Sequence, residues 1–348
     1  MKKLRIAQIA PLWFSIPPEK YGGIERIISY LTEELVKRGH EVTLFASGDS
    51  KTKAKLMSVV NQGLISRGVP WHDWWWNNLN YSIAFEMAKN FDIIHSHWTP
   101  SGIYFQRFVK TPVLHTFHNI PKGDDHRWKI LENFRDSNVV FVSKSERKNS
   151  EVKFKRSFVV YNAVDLNQFK FNEKGGGHLI WIARVSPIKG IETAIKVAKK
   201  LGGMKILLAG QLQPMMEEYF KTKIKPQLSS KIRYVGEISQ KELSDFYGSA
   251  KCLLYPIEWE EPFGLVMAES QACGTPVIAF DRGSAREVIK NGKTGFVVKN
   301  IGEMIGTVKK IDQIKREDCR AWVEKKFTIE RMVSDYEKAY YQIIRGGS

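Results

Sequence analysis

Leu4-Arg5-Ile6-Ala7-Gln8-Ile9-Ala10 begins the chain as a β-type run, and Val42-Thr43-Leu44-Phe45-Ala46 closes the unit it opens. Between them Ile24, Ile27, Ile28, Leu31 and Leu35 recur at helical spacing, with Arg38 and Gly39 as a stop signal. Strand, amphipathic helix and strand in that order predict a parallel βαβ unit. The alternation continues outward. Strand-like runs follow at 92–97, 113–117 and 139–142, and then at 178–183, 205–209, 232–235, 252–256, 276–280 and 296–298. Helical patterns intervene, among them Ile191–Leu201 and Gln240–Ser249.

The two series are separated by Gln168–His178, a polar stretch without periodicity that holds Gly175-Gly176-Gly177 and reads as an interdomain linker. The pattern predicts two doubly wound α/β domains, residues 1–168 and 169–327, with a terminal helix over 328–348 that can pack back onto the first. A chain of 348 residues, 43% of them hydrophobic, has enough material for two cores. Ligands of doubly wound sheets sit in a crevice at the carboxyl ends of strands. The expected site is therefore a cleft between the two domains.

Composition narrows the classes. No apolar run approaches the roughly 18 residues that a spanning helix needs. The basic start Met1-Lys2-Lys3-Leu4-Arg5 leads into an apolar stretch with Gln8 and Pro11 and no small-residue cleavage site, so a core strand is expected there, not a signal peptide. Cys252, Cys273 and Cys319 are widely spaced and odd in number, which argues against a disulfide framework or a zinc site. These features predict a cytoplasmic chain. The net charge of +17 points to an anionic partner. Residues 1–170 hold 25 Lys and Arg against 16 Asp and Glu, and the remainder 29 against 21, so the excess is spread over both halves. Its densest patch is Lys144–Arg156. No zinc-finger, RRM or KH pattern accompanies the charge, so nucleic acid is not an expected partner. A nucleotide, an acidic glycan or an anionic membrane surface stays open as the partner, the last as peripheral contact at the inner membrane face.

The chemistry concentrates in Glu260-Glu261-Pro262-Phe263-Gly264-Leu265-Val266-Met267-Ala268-Glu269-Ser270-Gln271-Ala272-Cys273-Gly274-Thr275-Pro276. Pro262 pushes Glu261 into an extended loop conformation. A helix is predicted from near Gly264 to Cys273, with Gly274 as its cap and Pro276 just beyond. Its first amides form an anion site. Glu261 and Glu269 are poor phosphate ligands but good acceptors for sugar hydroxyls. Glu, seven residues, Glu, with Pro-Phe-Gly after the first and Gly274-Thr275-Pro276-Val277 after the second, resembles the donor-site signature of glycosyltransferase family 4, a retaining family of GT-B fold. The resemblance implies two Rossmann-like parallel-sheet domains facing a central cleft. It implies transfer of a sugar from a UDP-, GDP- or ADP-sugar to a glycan, lipid-linked or small-molecule acceptor. By position, Glu261 contacts the transferred sugar, the amides of Phe263, Gly264, Leu265 and Val266 face sugar and diphosphate, and Glu269 holds the ribose.

Other segments agree with that resemblance. Ala183-Arg184-Val185 and Lys189-Gly190 resemble the family element whose Arg and Lys bind the donor diphosphate, with Ala183 standing where a Gly is usual. Two fixed cations stabilise the charge that develops on the departing diphosphate, so no cofactor and no essential metal is expected. Tyr21-Gly22-Gly23-Ile24-Glu25 resembles the family's Gly-Gly-x-Glu loop, which makes Gly22 and Gly23 diphosphate contacts. Tyr161-Asn162-Ala163-Val164-Asp165 resembles the Pro-Asn-Gly-Val-Asp that precedes the linker, with Tyr161 and Ala163 departing from it. In the loop Asp281–Glu287, Ser284 replaces the second glycine of a usual pair.

Two strands of the first half end in histidines, His95-Ser96-His97 and His115-Thr116-Phe117-His118. Alternation puts His95 and His97 on one face and sets His118 opposite to His115. The resemblance makes His118 a catalytic-site residue that orients the sugar. His97, Tyr21 and Trp74 are acceptor-side candidates. The stretch Trp71-His72-Asp73-Trp74-Trp75-Trp76 reads either as an aromatic platform for a sugar or lipid, or as a helix that packs its indoles inward. Since fold does not fix function, another GT-B enzyme, a sugar-nucleotide epimerase or phosphorylase, is the alternative, and a two-lobed receptor without activity is the reading from another class.

Overall fold

Short apolar runs buried on both faces make the strands of a parallel sheet, and amphipathic helices cover the two faces. The computed structural model describes residues 2–20, 22–70, 73–97, 101–119 and 127–346. The first sheet is built from β1 (Arg5–Ile9), β2 (Glu41–Phe45), β3 (Lys55–Met57), β4 (Ile93–His97), β5 (Val113–Phe117), β6 (Asn138–Phe141) and β7 (Arg156–Val159). Their order is β3-β2-β1-β4-β5-β6-β7. The second contains β8 (Leu179–Ile182), β9 (Ile206–Ala209), β10 (Ile232–Gly236), β11 (Cys252–Tyr255), β12 (Val277–Phe280) and β13 (Gly295–Val298), in the order β10-β9-β8-β11-β12-β13. Every pairing is parallel. Two strands, β3 and β7, go beyond the sequence reading. Both are edge strands without a fully buried residue, so they lack the apolar run that marks the others.

The chain divides into two units. The first comprises residues up to Asn162 together with those from Ile329 onward, and the second runs from Ala163 to Thr328. The division falls earlier than the expected boundary at 168, because the segment after Ala163 packs into the second unit. Phe169 is fully buried, the Gln168 amide donates to Gln240 Oε1 at 2.6 Å, and Asn172 N donates to the Cys273 carbonyl. The glycines at 175 and 176 are likewise not a flexible linker. A Cβ on Gly176 would lie 2.1 Å from the Ser249 carbonyl oxygen, so that glycine permits close backbone packing.

The terminal helix Ile329–Arg345 belongs to the first unit. Met332, Val333, Tyr336, Ala339, Tyr340 and Ile343 recur at helical spacing and are all buried. Glu337 on the same face accepts from Arg38 and meets His40 Nε2 at 2.9 Å. The core of the second unit centres on Trp181, Ile195, Leu208, Leu254 and Ile278, each without exposed surface.

One guanidinium ties the second unit's carbonyls together. Arg316 Nε donates to Asn172 O at 2.7 Å, and Nη1 to Ala250 O at 3.1 Å. Its Nη2 reaches Gly248 O at 2.9 Å, Thr275 Oγ1 at 2.7 Å and the Cys273 carbonyl at 3.3 Å. Cys273 caps the helix Leu265–Ala272, so Arg316 satisfies carbonyls at the end of the segment richest in expected site residues. Arg316→Met should therefore destabilise the protein by about 3 kcal/mol in urea melts, and Arg316→Lys should recover only part, because an ammonium cannot reproduce the planar fork.

Candidate active site

In each sheet one pair of neighbouring strands sends its connections in opposite directions, β1 with β4 and β8 with β11. Such switch points leave a crevice beyond the carboxyl ends of the two strands. Most of the expected site residues that the structure describes lie on connections near these two places, each within its own unit.

In the second unit β8 runs out into Ala183–Gly190 and β11 into Pro256–Gly264. Lys189 ends a single 3-10 turn, Pro187–Lys189, and Gly190 turns the chain at φ +71° into the helix Ile191–Lys200. A Cβ on Gly190 would lie 1.9 Å from the Pro256 carbonyl oxygen, so only glycine fits this crossing. Trp181 Nε1 holds the Lys189 carbonyl at 2.9 Å. Lys189 Nζ donates to Glu261 Oε2 at 2.8 Å and lies 4.3 Å from the centre of the Trp259 ring. The same oxygen accepts from Tyr255 OH at 2.7 Å and from Trp259 Nε1 at 2.9 Å. The ion pair is largely buried, its side chains 11% and 12% exposed. A desolvated pair holds only where further hydrogen bonds complete it, and the phenol and indole do so here. Among the described residues no hydrogen bond reaches Glu261 Oε1.

The backbone of this loop is strapped from the other side. Ser284 N donates to Glu261 O at 3.0 Å, and Ser284 Oγ donates to Phe263 O at 2.6 Å. Gly283 N donates to Glu260 Oε2 at 2.8 Å. Ser284 at the place of a second glycine therefore has a function, holding the Phe263 carbonyl. Gly264, at φ +74°, starts the helix Leu265–Ala272 with no side-chain cap. The amides of Leu265 and Val266 thus lie ahead of any intrahelical acceptor. The Phe263 ring is buried edge-on against Phe327, 5.4 Å between centroids, so the ring presents no face to a ligand. Glu269 is buried within the helix and accepts from Tyr247 OH at 2.8 Å. Arg184 stands half-buried on the same connection as Lys189.

In the first unit Gly22, at φ +144°, precedes the helix Gly23–Lys37, whose start also lacks a side-chain cap. A Cβ at Gly22 would lie 2.7 Å from Pro18 Cβ. Glu25 is buried in the first turn, and desolvation pushes its carboxyl up to about 7. Near neutral pH Glu25 therefore carries less negative charge at this helix start than an exposed carboxylate would. Tyr21 lies outside the described residues.

His118 follows β5 and is half-buried, its Nε2 3.4 Å from His97 Nδ1. The rings of His95 and His97 lie 3.9 Å apart on one face, while His115 points the other way to Gln106 Oε1 at 3.1 Å. Burial pushes His97 well below its ordinary range and His118 down to about 3, so both rings are neutral at neutral pH. Direct acceptor contact by His97 does not fit its position. It has no exposed surface, and Gln8 and His118 meet its two ring nitrogens. Trp74 also departs from expectation, packing edge-on against Trp13 at 5.6 Å in a cluster with Leu12, Val60 and Leu64. The outward indole is Trp75, 82% exposed. Trp71 and His72 lie outside the described residues.

Sequence reasoning missed Tyr255, Trp259, Tyr247 and Gln8, and named Ser284 only as a departure from a usual glycine pair. Trp259 stood two positions before Glu261, a signal within reach. Tyr255, Tyr247 and Gln8 stood inside runs read as strand or helix. In the basic patch, Lys144, Arg147, Lys148 and Lys153 line one surface cavity with Val152 and Phe154. Among the described residues no helix is long and apolar enough to cross a membrane.

Two units, each a parallel sheet with polar residues near its switch point, are the arrangement of a GT-B fold, and comparison with known proteins supplies the family. Residues 21–168 match the family described as Glycosyltransferase Family 4, and residues 165–327 that described as Glycosyl transferases group 1. The chain belongs to glycosyltransferase family 4. It is 24% identical over 345 residues to D-inositol 3-phosphate glycosyltransferase of Mycolicibacterium smegmatis, covering 83% of this chain and 78% of that one. Its fold is similar to that of sucrose-phosphate synthase from Thermosynechococcus elongatus, with a TM-score of 0.83 at 19% identity over 99% of this chain and 100% of that one. It is similar also to HepE of Anabaena, solved with UDP and glucose, with a TM-score of 0.76 at 16% identity over 97% and 100% of the two chains.

The burial of Glu25 has a measurable consequence. Between pH 4.5 and about 7 the folded state keeps a proton that the unfolded chain has lost, so this group's contribution to stability falls as pH rises through that window. Glu25→Gln should match the wild type in urea melts near pH 4.5 and exceed its stability by about 3 kcal/mol at pH 8. Parallel pH profiles for the two proteins would refute the assignment.

Proposed function

We propose that the chain transfers a sugar, with retention at the anomeric carbon, from a UDP-, GDP- or ADP-sugar to a glycan, lipid-linked or small-molecule acceptor without an essential metal. The observation that carries this reading is the enclosed pair Lys189–Glu261 at the switch point of the second sheet, with three donors on one carboxylate oxygen. Glu261 Oε1 accepts from hydroxyls of the transferred sugar. The Leu265 and Val266 amides and the Arg184 and Lys189 cations receive the diphosphate and stabilise the charge that builds on it as the glycosidic bond breaks. Glu269 accepts from the ribose. The neutral imidazole of His118 orients the sugar, and the departing diphosphate takes the acceptor's proton.

The relatives support a nucleotide-sugar donor: HepE was solved with UDP and glucose, and two others carry transferase or synthase names for phosphorylated sugars or polyols. The net charge of +17 and the basic cavity around Lys144–Lys153 support anionic ligands, including a peripheral anionic membrane face.

At least one member of a UDP-, GDP- and ADP-sugar panel should raise Tm and be hydrolysed slowly without acceptor, and EDTA should leave the rate unchanged. A flat response across the panel sinks the reading. Glu269→Ala should weaken donor binding about tenfold, the cost of one good hydrogen bond, whereas Glu261→Ala should lower kcat roughly a hundredfold with donor affinity nearly kept. Equal affinity and turnover in both variants would overturn the roles.

A further inference from the structure

Gln8, His95, His97, Thr116, Tyr336 and Tyr340 are all fully buried in the first unit. Their polar atoms form one chain that ends on His118. His118 Nε2 lies 3.4 Å from His97 Nδ1, and His97 Nε2 lies 2.7 Å from Gln8 Oε1. Gln8 Nε2 donates to Tyr340 OH at 3.0 Å, and Tyr340 OH lies 2.7 Å from His95 Nδ1. His95 Nε2 lies 2.7 Å from Thr116 Oγ1, which meets Tyr336 OH at 3.1 Å.

All members but one can exchange donor and acceptor roles, a neutral imidazole by tautomerism and a hydroxyl by rotation. The amide of Gln8 cannot: its oxygen only accepts and its nitrogen only donates. Burial keeps the rings of His95, His97 and His118 neutral, so each carries a single N–H. The amide orientation therefore propagates in both directions. Its oxygen faces His97, so His97 carries its proton on Nε2 and offers Nδ1 as a lone pair. His118 must then donate from Nε2. On the other side Tyr340 accepts from Gln8 and donates to His95 Nδ1, and His95 donates from Nε2 to Thr116.

We propose that Gln8 is a positioning residue that fixes His118 as its Nε2–H tautomer, and so presents His118 Nδ1 as a hydrogen-bond acceptor to a hydroxyl of the transferred sugar. The contact with sugar rests on the function proposed above; the tautomer does not. The choice of ring nitrogen matters because a bond made by one nitrogen decides what the other can offer. The opposite tautomer would present an N–H there, and the sugar hydroxyl would have to accept instead of donate.

Long-range proton–nitrogen NMR spectra of the full-length protein labelled with 15N-histidine test this, with His118 assigned by the signals lost in His118→Asn. At neutral pH the wild-type ring should carry its proton on Nε2, and a neutral ring protonated on Nδ1 overturns the proposal. Gln8→Met should release His118 into a mixture of tautomers and lower kcat about tenfold, the kinetic equivalent of one hydrogen bond, with donor KM kept within about twofold. A folded Gln8→Met whose His118 stays wholly Nε2–H overturns the role of Gln8. If the tautomers behave as expected while His118→Asn keeps wild-type kcat, the sugar contact fails and the chain of hydrogen bonds stands.

Discussion

One carboxylate oxygen, Glu261 Oε2, receives an ammonium, a phenol and an indole, and the loop around it is arranged to make that convergence possible. Lys189 can arrive only because Gly190 lets its connection cross the end of β11, and Tyr255 only because that strand ends where it does. Ser284 and Gly283 hold the backbone of the same loop from behind. Gly264 then releases the chain into a helix, where a Cβ would come within 2.6 Å of Met267 Cε and 3.2 Å of Glu261 Cγ. Anchored carboxylate and open helix start are thus two parts of one local packing problem.

The first unit solves a different problem. Its polar residues sit inside the sheet–helix interface, where an unpaired group would cost more than a hydrogen bond returns. The terminal helix contributes Tyr336 and Tyr340 to that network, across more than two hundred positions of sequence from the strands they meet. Neutral imidazoles suit such a place, since each offers one donor and one acceptor without a charge to desolvate. The buried histidines are therefore part of the unit's construction as well as neighbours of the expected reacting centre.

Most of the fold was legible because parallel strands buried on both faces leave continuous apolar runs. β3 and β7 were not, since edge strands such as Lys55–Met57 and Arg156–Val159 need no such run. The glycines at 175 and 176 misled for a related reason: a glycine required for close packing and a glycine required for flexibility look alike in one sequence. The carboxylates of the candidate site were marked by a motif that resembles the family's signature. Their donors were not, because an aromatic residue at a strand end, such as Tyr255, gives no sign of whether its hydroxyl points into the core or into a crevice. The tryptophan stretch shows the same limit, with Trp74 turned inward and Trp75 outward on adjacent positions.

The crossing of Gly190 over Pro256 has a further consequence. Here two loops touch main chain to main chain, and Glu258 N adds a bond to the Ile188 carbonyl at 2.9 Å. The floor beneath the charged pair is made of peptide groups, so its depth is independent of side-chain identity. Variation in the surrounding side chains can reshape the walls while the ammonium and carboxylate keep their height above that floor. Placement of the charged pair is in this way left to backbone geometry, and the shape of its surroundings to side chains.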